Sequence, residues 1–172
     1  MCRSTASLSC LPFNIVLRAG ASGSAIGTVF AMQPTDLALR DLATRLLASE
    51  SGGDGGMPEF SVMRVCAKLG AVLSKLAGAS GYRSLLSRAL VLAQTHAPAL
   101  KGVNAAPDGT LEGLAEARAT MTIEEFARGE IALVVQLLSL LHTFIGESLT
   151  RQLLKDAWPT IDLSSSTDSP TS

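Results

Sequence analysis

The clearest hydrophobic pattern lies in the C-terminal third of the chain, where residues 131–146, IALVVQLLSLLHTFIG, carry no charge between Glu130 and Glu147. At about 100° per residue, the polar positions form one narrow helical stripe. That stripe contains Gln136, Ser139, Thr143, Glu147 and Thr150, and the opposite side carries Val134, Leu138, Leu141, Ile145 and Leu149. The run is shorter than the roughly 20 apolar residues of a membrane-spanning helix. It therefore predicts a buried helix, and not a transmembrane protein.

The start of this helix has a capping signal. In Thr122–Glu125, TIEE, the threonine side chain and the glutamate carboxylate are spaced to satisfy free backbone N–H groups at a helix start. The pattern predicts a long final helix that begins here and continues to about Ala157, where Trp158 and Pro159 end it. We expect Gly129 to be the place where it kinks.

Three shorter helices are predicted upstream. The first begins at Thr35 or Asp36 and ends before a glycine-rich linker, residues 51–56. The second begins near Pro58 and ends at GASG, residues 78–81, and the third runs from about Tyr82 to His96, before Pro98. The short GASG connection makes these two an antiparallel hairpin. Turn residues in 104–118 leave loop, strand and helix open for that segment.

These elements indicate an all-α fold: a helical bundle of about four main helices with a long, largely buried C-terminal helix. We expect a flexible or mis-assigned leader at residues 1–31, with Met32 as the favoured initiator, a helical domain at 32–158 and a disordered Ser/Thr-rich tail at 159–172. With 172 residues and 47% hydrophobic positions, one domain can bury a sufficient core. The three cysteines have no metal-ligand spacing and favour a reducing, cytoplasmic location.

Charge is distributed unevenly although the net charge is only −1. Residues 60–107 contain basic side chains and no acidic one, whereas residues 108–130 are mainly acidic. The acidic segment could attract the basic hairpin within the fold. In the other interpretation, the basic side chains lie on a solvated helix face and keep it soluble. A basic hairpin also offers a surface for an anionic partner, on Arg64, Lys68, Lys75, Arg83 and Arg88. Nucleic acid is not expected, because the chain has few aromatics and no helix-turn-helix pattern.

Candidate catalytic chemistry is sparse. The chain lacks paired metal-ligand motifs, a nucleophile elbow and a phosphate-binding loop, so we expect no catalytic residue, no metal and no cofactor, and an enzyme is the less favoured class. Cys66 falls on the apolar face of its helix and is expected to be inert packing. His142 lies at the margin of the apolar surface of the long helix, where it packs in the core or faces a ligand.

Two function classes follow from the pattern. The first is a non-catalytic interaction or oligomerisation module, a homodimer or a binder of a helical protein partner, because Leu137, Leu140, Phe144 and Leu153 exceed what one hairpin easily covers. The second is a small-molecule-sensing domain with an apolar pocket near His142. Gln136, His142 and Phe144 are the candidate ligand or interface residues of the long helix.

Overall fold

The computed structural model describes residues 34–52 and 60–161. Within these ranges the fold is all-α, as predicted, with five α-helices, one turn of 3-10 helix and a two-stranded ribbon. In chain order the elements are α1 (Pro34–Glu50), α2 (Ser61–His96), the 3-10 helix η1 (Pro98–Leu100), β1 (Asn104–Ala105), β2 (Leu111–Glu112), α3 (Leu114–Ala119), α4 (Ile123–Ile145) and α5 (Glu147–Ala157). The predicted leader, the linker after Gly52 and residues 162–172 lie outside the described residues.

Helix α2 is a hairpin of two helical arms. Gly78 has φ 75° and ψ 165°, which interrupts the helix between an arm at 61–77 and an arm at 79–96. The second arm folds back on the first. This is shown by the hydroxyl of Tyr82, which donates a hydrogen bond to the carbonyl oxygen of Cys66, sixteen positions earlier, at 2.6 Å. The predicted helical pair joined at GASG is therefore present, with the reversal at Gly78.

Helix α4 is the central element, and it packs against α1, α2, α3, η1 and α5. The predicted capping box is present: the backbone N–H of Glu125 donates to Oγ1 of Thr122 at 3.2 Å, and Oε2 of Glu125 accepts from the backbone N–H of Thr122 at 3.0 Å. Buried positions occur along most of the helix, from Phe126 to Leu141. Most of the apolar run is thus covered within a single chain, although Phe144 near its end is 60% exposed.

The predicted continuous helix to Ala157 is wrong, because Gly146 divides it. Gly146 has φ 83° and ψ 161°, ends α4 by donating its N–H to the carbonyl of His142, and begins α5 by accepting from Thr150. This break gives α5 its own direction. As a result Thr150, predicted on the polar stripe, is fully buried, and Leu149, predicted on the apolar side, is 43% exposed.

Gly129 is not the site of the break that the sequence suggested. It is buried within uninterrupted α4, and a Cβ there would lie 3.1 Å from Cδ2 of Leu100. The glycine instead permits close approach of η1 to α4. Leu100 is almost completely buried at this contact.

The segment between α2 and α4 contains loop, strand and helix, the three structures that the sequence left open. It contains η1, the antiparallel ribbon that pairs Asn104 with Glu112 and Ala105 with Leu111, and the short helix α3. The side-chain amide of Gln94 donates to the carbonyls of Leu100 and Val103 at 3.1 and 3.0 Å, which fixes the segment to the end of α2. The ribbon and its turn are held beside the hairpin.

A polar cluster at the C-terminal ends of α1 and α5 joins three helices. Oε1 of Glu50 accepts from Nε1 of Trp158 at 2.7 Å and lies 2.5 Å from Nζ of Lys68 on α2. Lys68 also lies 5.6 Å from the centre of the Trp158 ring. Glu50 and Trp158 are both buried. Beyond them the predicted tail begins, and its first residues form a turn in which Ile161 packs on the core.

Among the described helices, α4 alone is long and apolar enough to cross a membrane by length and composition. The helix is longer than the uncharged run, because it begins eight positions before Ile131. The described residues contain no second helix of this length and apolar composition.

Candidate functional site

A cavity of about 340 Å³ lies between the first arm of α2 and the turn that joins β1 to β2. The hairpin contributes Met63, Cys66, Ala67, Gly70, Ala71, Ser74 and Tyr82. The turn contributes Asp108, Gly109 and Thr110, and β2 contributes Leu111. The first-arm positions, from Met63 to Ser74, follow an i, i+3, i+4 spacing, so one face of that arm supplies them, and Tyr82 comes from the second arm. Because several of these side chains are small, the opposing turn leaves space above the helix backbone.

Tyr82 forms the inner wall of this cavity. A Cβ on Gly70 would lie 2.7 Å from Cε1 of the ring, and a Cβ on Gly109 would lie 3.1 Å from the same atom. The ring is therefore held between two glycine backbones, and its hydroxyl is fixed on the carbonyl of Cys66. The ring fills the interior, whereas exposed Ala67, Ala71 and Thr110 place the opening at the surface.

The turn opposite the helix has its own hydrogen bonds. Gly109 donates its N–H to the carbonyl of Ala106 at 3.0 Å, and Ala106 donates to the carbonyl of Thr110 at 2.9 Å. Oδ1 of Asp108 accepts from both the backbone N–H and the hydroxyl of Thr110, at 2.9 and 2.7 Å. Gly109 has φ 86°, which glycine adopts at little cost. The cavity thus has one wall on a helix and the other on a bonded turn.

Ionisable groups of the cavity differ in charge state. Burial raises the pKa of the Cys66 thiol to about 12, and it raises the pKa of the Tyr82 hydroxyl well above its usual range. Both groups are therefore neutral at neutral pH. Hydrogen bonds from the backbone and hydroxyl of Thr110 lower the pKa of Asp108. The described lining residues consequently carry one negative charge and no positive one.

The three residues predicted as a site on the long helix lie outside this cavity. Gln136 and His142 are half-buried on α4, and Phe144 is 60% exposed near its end. Burial lowers the pKa of His142; attraction to Glu147 opposes this and repulsion by Arg151 adds to it, so the pKa lies below its usual value. The described lining of the cavity comes from α2 and the turn, so the apolar space is not the one expected near His142.

The predicted basic surface is divided by the fold. Nη1 of Arg64 donates to the carbonyl of Glu50 at 3.1 Å, and Lys68 pairs with the Glu50 carboxylate. Lys75, Arg83 and Arg88 are exposed. The partner of Lys68 therefore comes from α1 and not from the acidic segment 108–130. An anionic-partner surface stays a prediction that now rests on Lys75, Arg83 and Arg88.

One acidic residue of that segment has a structural position. Glu130 is half-buried on α4, and its Oε1 accepts from the backbone N–H of Val62 at 3.3 Å. It thereby satisfies a free N–H in the first turn of α2. Burial raises the pKa of its carboxyl.

In the described part of the chain, no group of three or more His, Cys, Asp or Glu residues is placed to hold a metal ion.

Sequence reasoning missed the cavity for an identifiable reason. The stripe of small residues on α2 is visible in the sequence, and so is the turn at Pro107–Gly109. Their proximity depends on Gln94 and η1 bringing the ribbon back along the hairpin, which no local pattern specifies.

Comparisons of the chain with known protein families, with curated proteins and with solved structures find no match.

Proposed function

We propose that this chain is a non-catalytic, small-molecule-binding helical domain whose ligand occupies the cavity between α2 and the turn that joins β1 to β2. The observation that carries the proposal is the cavity itself. Its volume of about 340 Å³ is within the range of about 300–1,000 Å³ in which small-molecule sites fall. The sensing role predicted from the sequence is retained, and its location is moved from His142 to α2.

The lining has the composition of a binding site. Apolar surface comes from Met63, Leu111 and the alanines of α2, and polar groups come from Ser74, Thr110 and Asp108. A ligand buried on this lining gains from the removal of apolar surface from water and is oriented by the few polar groups. Because Tyr82 and the turn are already fixed by hydrogen bonds, little ordering is required when the ligand binds.

Binding is favoured over catalysis by the state of the groups at hand. A thiol with a pKa of about 12 is a poor nucleophile at neutral pH, and Tyr82 is engaged with a backbone carbonyl. Asp108 is exposed and charged, without a neighbouring base or acid among the lining residues. A cytoplasmic location belongs to the same proposal and is supported by the free, buried Cys66.

The test uses hexan-1-ol as a small apolar probe and the full chain labelled with ¹⁵N. We expect saturable amide shifts at Gly70 and Gly109, which line the cavity, and unchanged shifts at Gly52 and Gly146, which do not. A double variant, Ala67→Leu with Ala71→Leu, fills the opening while keeping residues with high helix propensity. It should abolish the shifts.

The control variant is Ala48→Leu, an exposed alanine of α1 outside the lining. It should bind hexan-1-ol like the unmodified chain. Absence of saturable shifts at Gly70 and Gly109, or equal binding by the folded Ala67→Leu, Ala71→Leu variant, would overturn the proposal. Thermal melting of each variant establishes that it is folded.

Self-association is a second candidate, supported by two exposed apolar side chains. Of the four residues that suggested an oligomer, Leu137, Leu140 and Leu153 are buried within one chain, and Phe144 is 60% exposed. Leu149 is 43% exposed on the other side of the Gly146 break. A homodimer seated on these two residues is consistent with the enrichment of aromatic side chains at protein interfaces.

Sedimentation velocity separates the two candidates. If Phe144 and Leu149 form an interface, the full chain sediments as a dimer, and Phe144→Ser with Leu149→Ser makes it monomeric. The matched variant Val91→Ser, at a 62% exposed position of α2, should leave the mass unchanged. A monomer at all concentrations would reject self-association and leave ligand binding unaffected.

A further inference from the structure

The single charge of the cavity has a chemical consequence for its occupant. Among the described lining residues, Asp108 is the charged group, and Cys66 and Tyr82 are neutral. Asp108 stands in the turn at the exposed side of the cavity, whereas the inner surface beside α2 is apolar. The site therefore has a negative end and an apolar end.

No cation of the hairpin is among the described lining residues. At about 100° per residue along α2, Lys68 and Lys75 lie about 100° or more round the helix from Gly70 and Ser74, and about 40–60° from Ala71 at the edge of the lining. Lys68 is also engaged by Glu50. An anionic ligand would thus meet the Asp108 carboxylate without a lining cation to neutralise either charge.

Asp108 also has acceptor capacity left. Both Thr110 groups donate to Oδ1, and a carboxylate can accept about four hydrogen bonds over its two oxygens. The two bonds from Thr110 hold the carboxylate in place before a ligand arrives, which lowers the entropy cost of a further hydrogen bond.

From this arrangement we infer that the ligand is a primary ammonium with an apolar tail, the ammonium bound by Asp108 and the tail lying along the small-residue face of α2. The inference rests on the proposed function, because it assigns a chemical class to the occupant of the same cavity. The ammonium supplies donors that the carboxylate accepts, and the tail covers Ala67, Ala71 and Leu111.

Three probes of equal chain length test the charge preference: n-hexylammonium, hexan-1-ol and hexanoate, titrated at pH 7 into the full chain with Gly70 and Gly109 amide shifts as the readout. Hexylammonium should bind about fivefold more tightly than hexan-1-ol, the gain of a solvent-accessible ion pair. Hexanoate should bind more weakly than the alcohol, because its charge repels that of Asp108.

Asp108→Asn is the decisive variant, since an asparagine oxygen still accepts from Thr110 and preserves the turn. It should remove the difference between hexylammonium and hexan-1-ol, with the affinity for hexylammonium falling about fivefold toward that for the alcohol. The matched control is Glu112→Gln, an exposed acid of β2 outside the described lining, which should keep the preference.

The outcomes separate the two proposals. Binding of hexan-1-ol with no preference for hexylammonium, or a preference that survives Asp108→Asn, overturns the ammonium assignment and leaves the ligand-binding function standing. Failure of all three probes to shift Gly70 and Gly109 overturns both.

Discussion

Glu50 is buried and Glu130 is half-buried, and the fold shifts the pKa values of their carboxyl groups in opposite directions. Burial raises the pKa of Glu50, but hydrogen bonds from Lys68 and Trp158 and attraction to Lys68 and Arg64 outweigh it, so its pKa is below the usual range. Burial also raises the pKa of Glu130, and there the N–H of Val62 and the charge of Arg118 do not compensate. The fold thus stabilises one carboxylate and penalises the other.

The same substitution should consequently have opposite effects at the two positions. Glu50→Gln removes the charge that Lys68 and Trp158 engage, and we expect it to lower the free energy of unfolding at pH 7 by about 1–2 kcal/mol. Glu130→Gln retains an oxygen acceptor for Val62 and removes a desolvated charge. It should leave the free energy of unfolding unchanged or raise it. Urea unfolding at pH 7 measures both.

The pH dependence follows from the direction of each shift. A lowered folded pKa means that ionised Glu50 adds stability above its unfolded pKa of about 4.3, and the contribution is lost as pH falls through the lower folded value. The deficit of Glu50→Gln should therefore shrink at pH 3. For Glu130, the penalty grows as pH rises from about 4.3 to the raised folded pKa, so any advantage of Glu130→Gln should vanish in acid.

An exposed ion pair supplies the control for this comparison. Asp41 and Arg45 on α1 form an ion pair in which 63% of the Asp41 side chain and 45% of the Arg45 side chain are exposed. Asp41→Asn should therefore change the free energy of unfolding by less than about 0.5 kcal/mol. Equal losses for Glu50→Gln and Glu130→Gln at pH 7 would contradict the assigned roles.

At the scale of elements, Gly146 sets the boundary between α4 and α5. Its φ of 83° with ψ of 161° is a conformation that residues other than glycine adopt at a cost of about 1–3 kcal/mol. A Cβ there would meet nothing within 4 Å, so the cost of Gly146→Ala comes from the backbone alone. We expect that variant to lose about 1–3 kcal/mol of unfolding free energy in urea.

Gly52→Ala is the matched control, because its Cβ also meets open space and its φ lies outside the left-handed region. It should unfold like the unmodified chain. If Gly146→Ala instead retained full stability and gained helical signal in far-UV circular dichroism, α4 and α5 would be able to fuse, and the role of Gly146 as an obligatory break would be wrong.

Sequence signals predicted the elements whose determinants are local. The capping box at Thr122 depends on residues within one turn, and the reversal near Gly78 depends on glycines beside a helix. The break at Gly146 escaped prediction because the polar positions 136, 139, 143 and 147 remain in phase across it. Docking of α5 on α2 and α4, a long-range requirement, decides the conformation there.

Candidate-site prediction failed for the same physical reason. His142 and Gln136 were identified from their place on one helical wheel, which gives a side chain's direction and not what packs opposite it. The described cavity brings together residues distant in sequence: Gly70 and Gly109, 39 positions apart, lie on either side of the Tyr82 ring. The burial of Cys66 was predicted correctly, since burial on an apolar helix face is a local property.

At the scale of the molecule, Trp158 joins the last helix to the first. Its Nε1–H donates to Glu50, 108 positions earlier in the chain, and its ring lies over Lys68 of α2. Trp158 is also the one tryptophan of the sequence. Tryptophan fluorescence therefore reports the docking of α5 on α1 and α2 without a second emitter to obscure it.

This position predicts a single cooperative unfolding transition. Undocking of α5 would break the hydrogen bond between the Trp158 indole and the Glu50 carboxylate. It would also expose Leu153 and Leu154, which are buried on α5. Because that loss weakens the packing of α1 and α2, tryptophan fluorescence and far-UV circular dichroism should give the same midpoint in urea. Trp158→Phe, which keeps an aromatic ring but removes the donor, should shift the circular dichroism midpoint to lower urea. A red shift of fluorescence at a urea concentration where helicity is intact would instead mean that α5 detaches independently of the rest of the bundle.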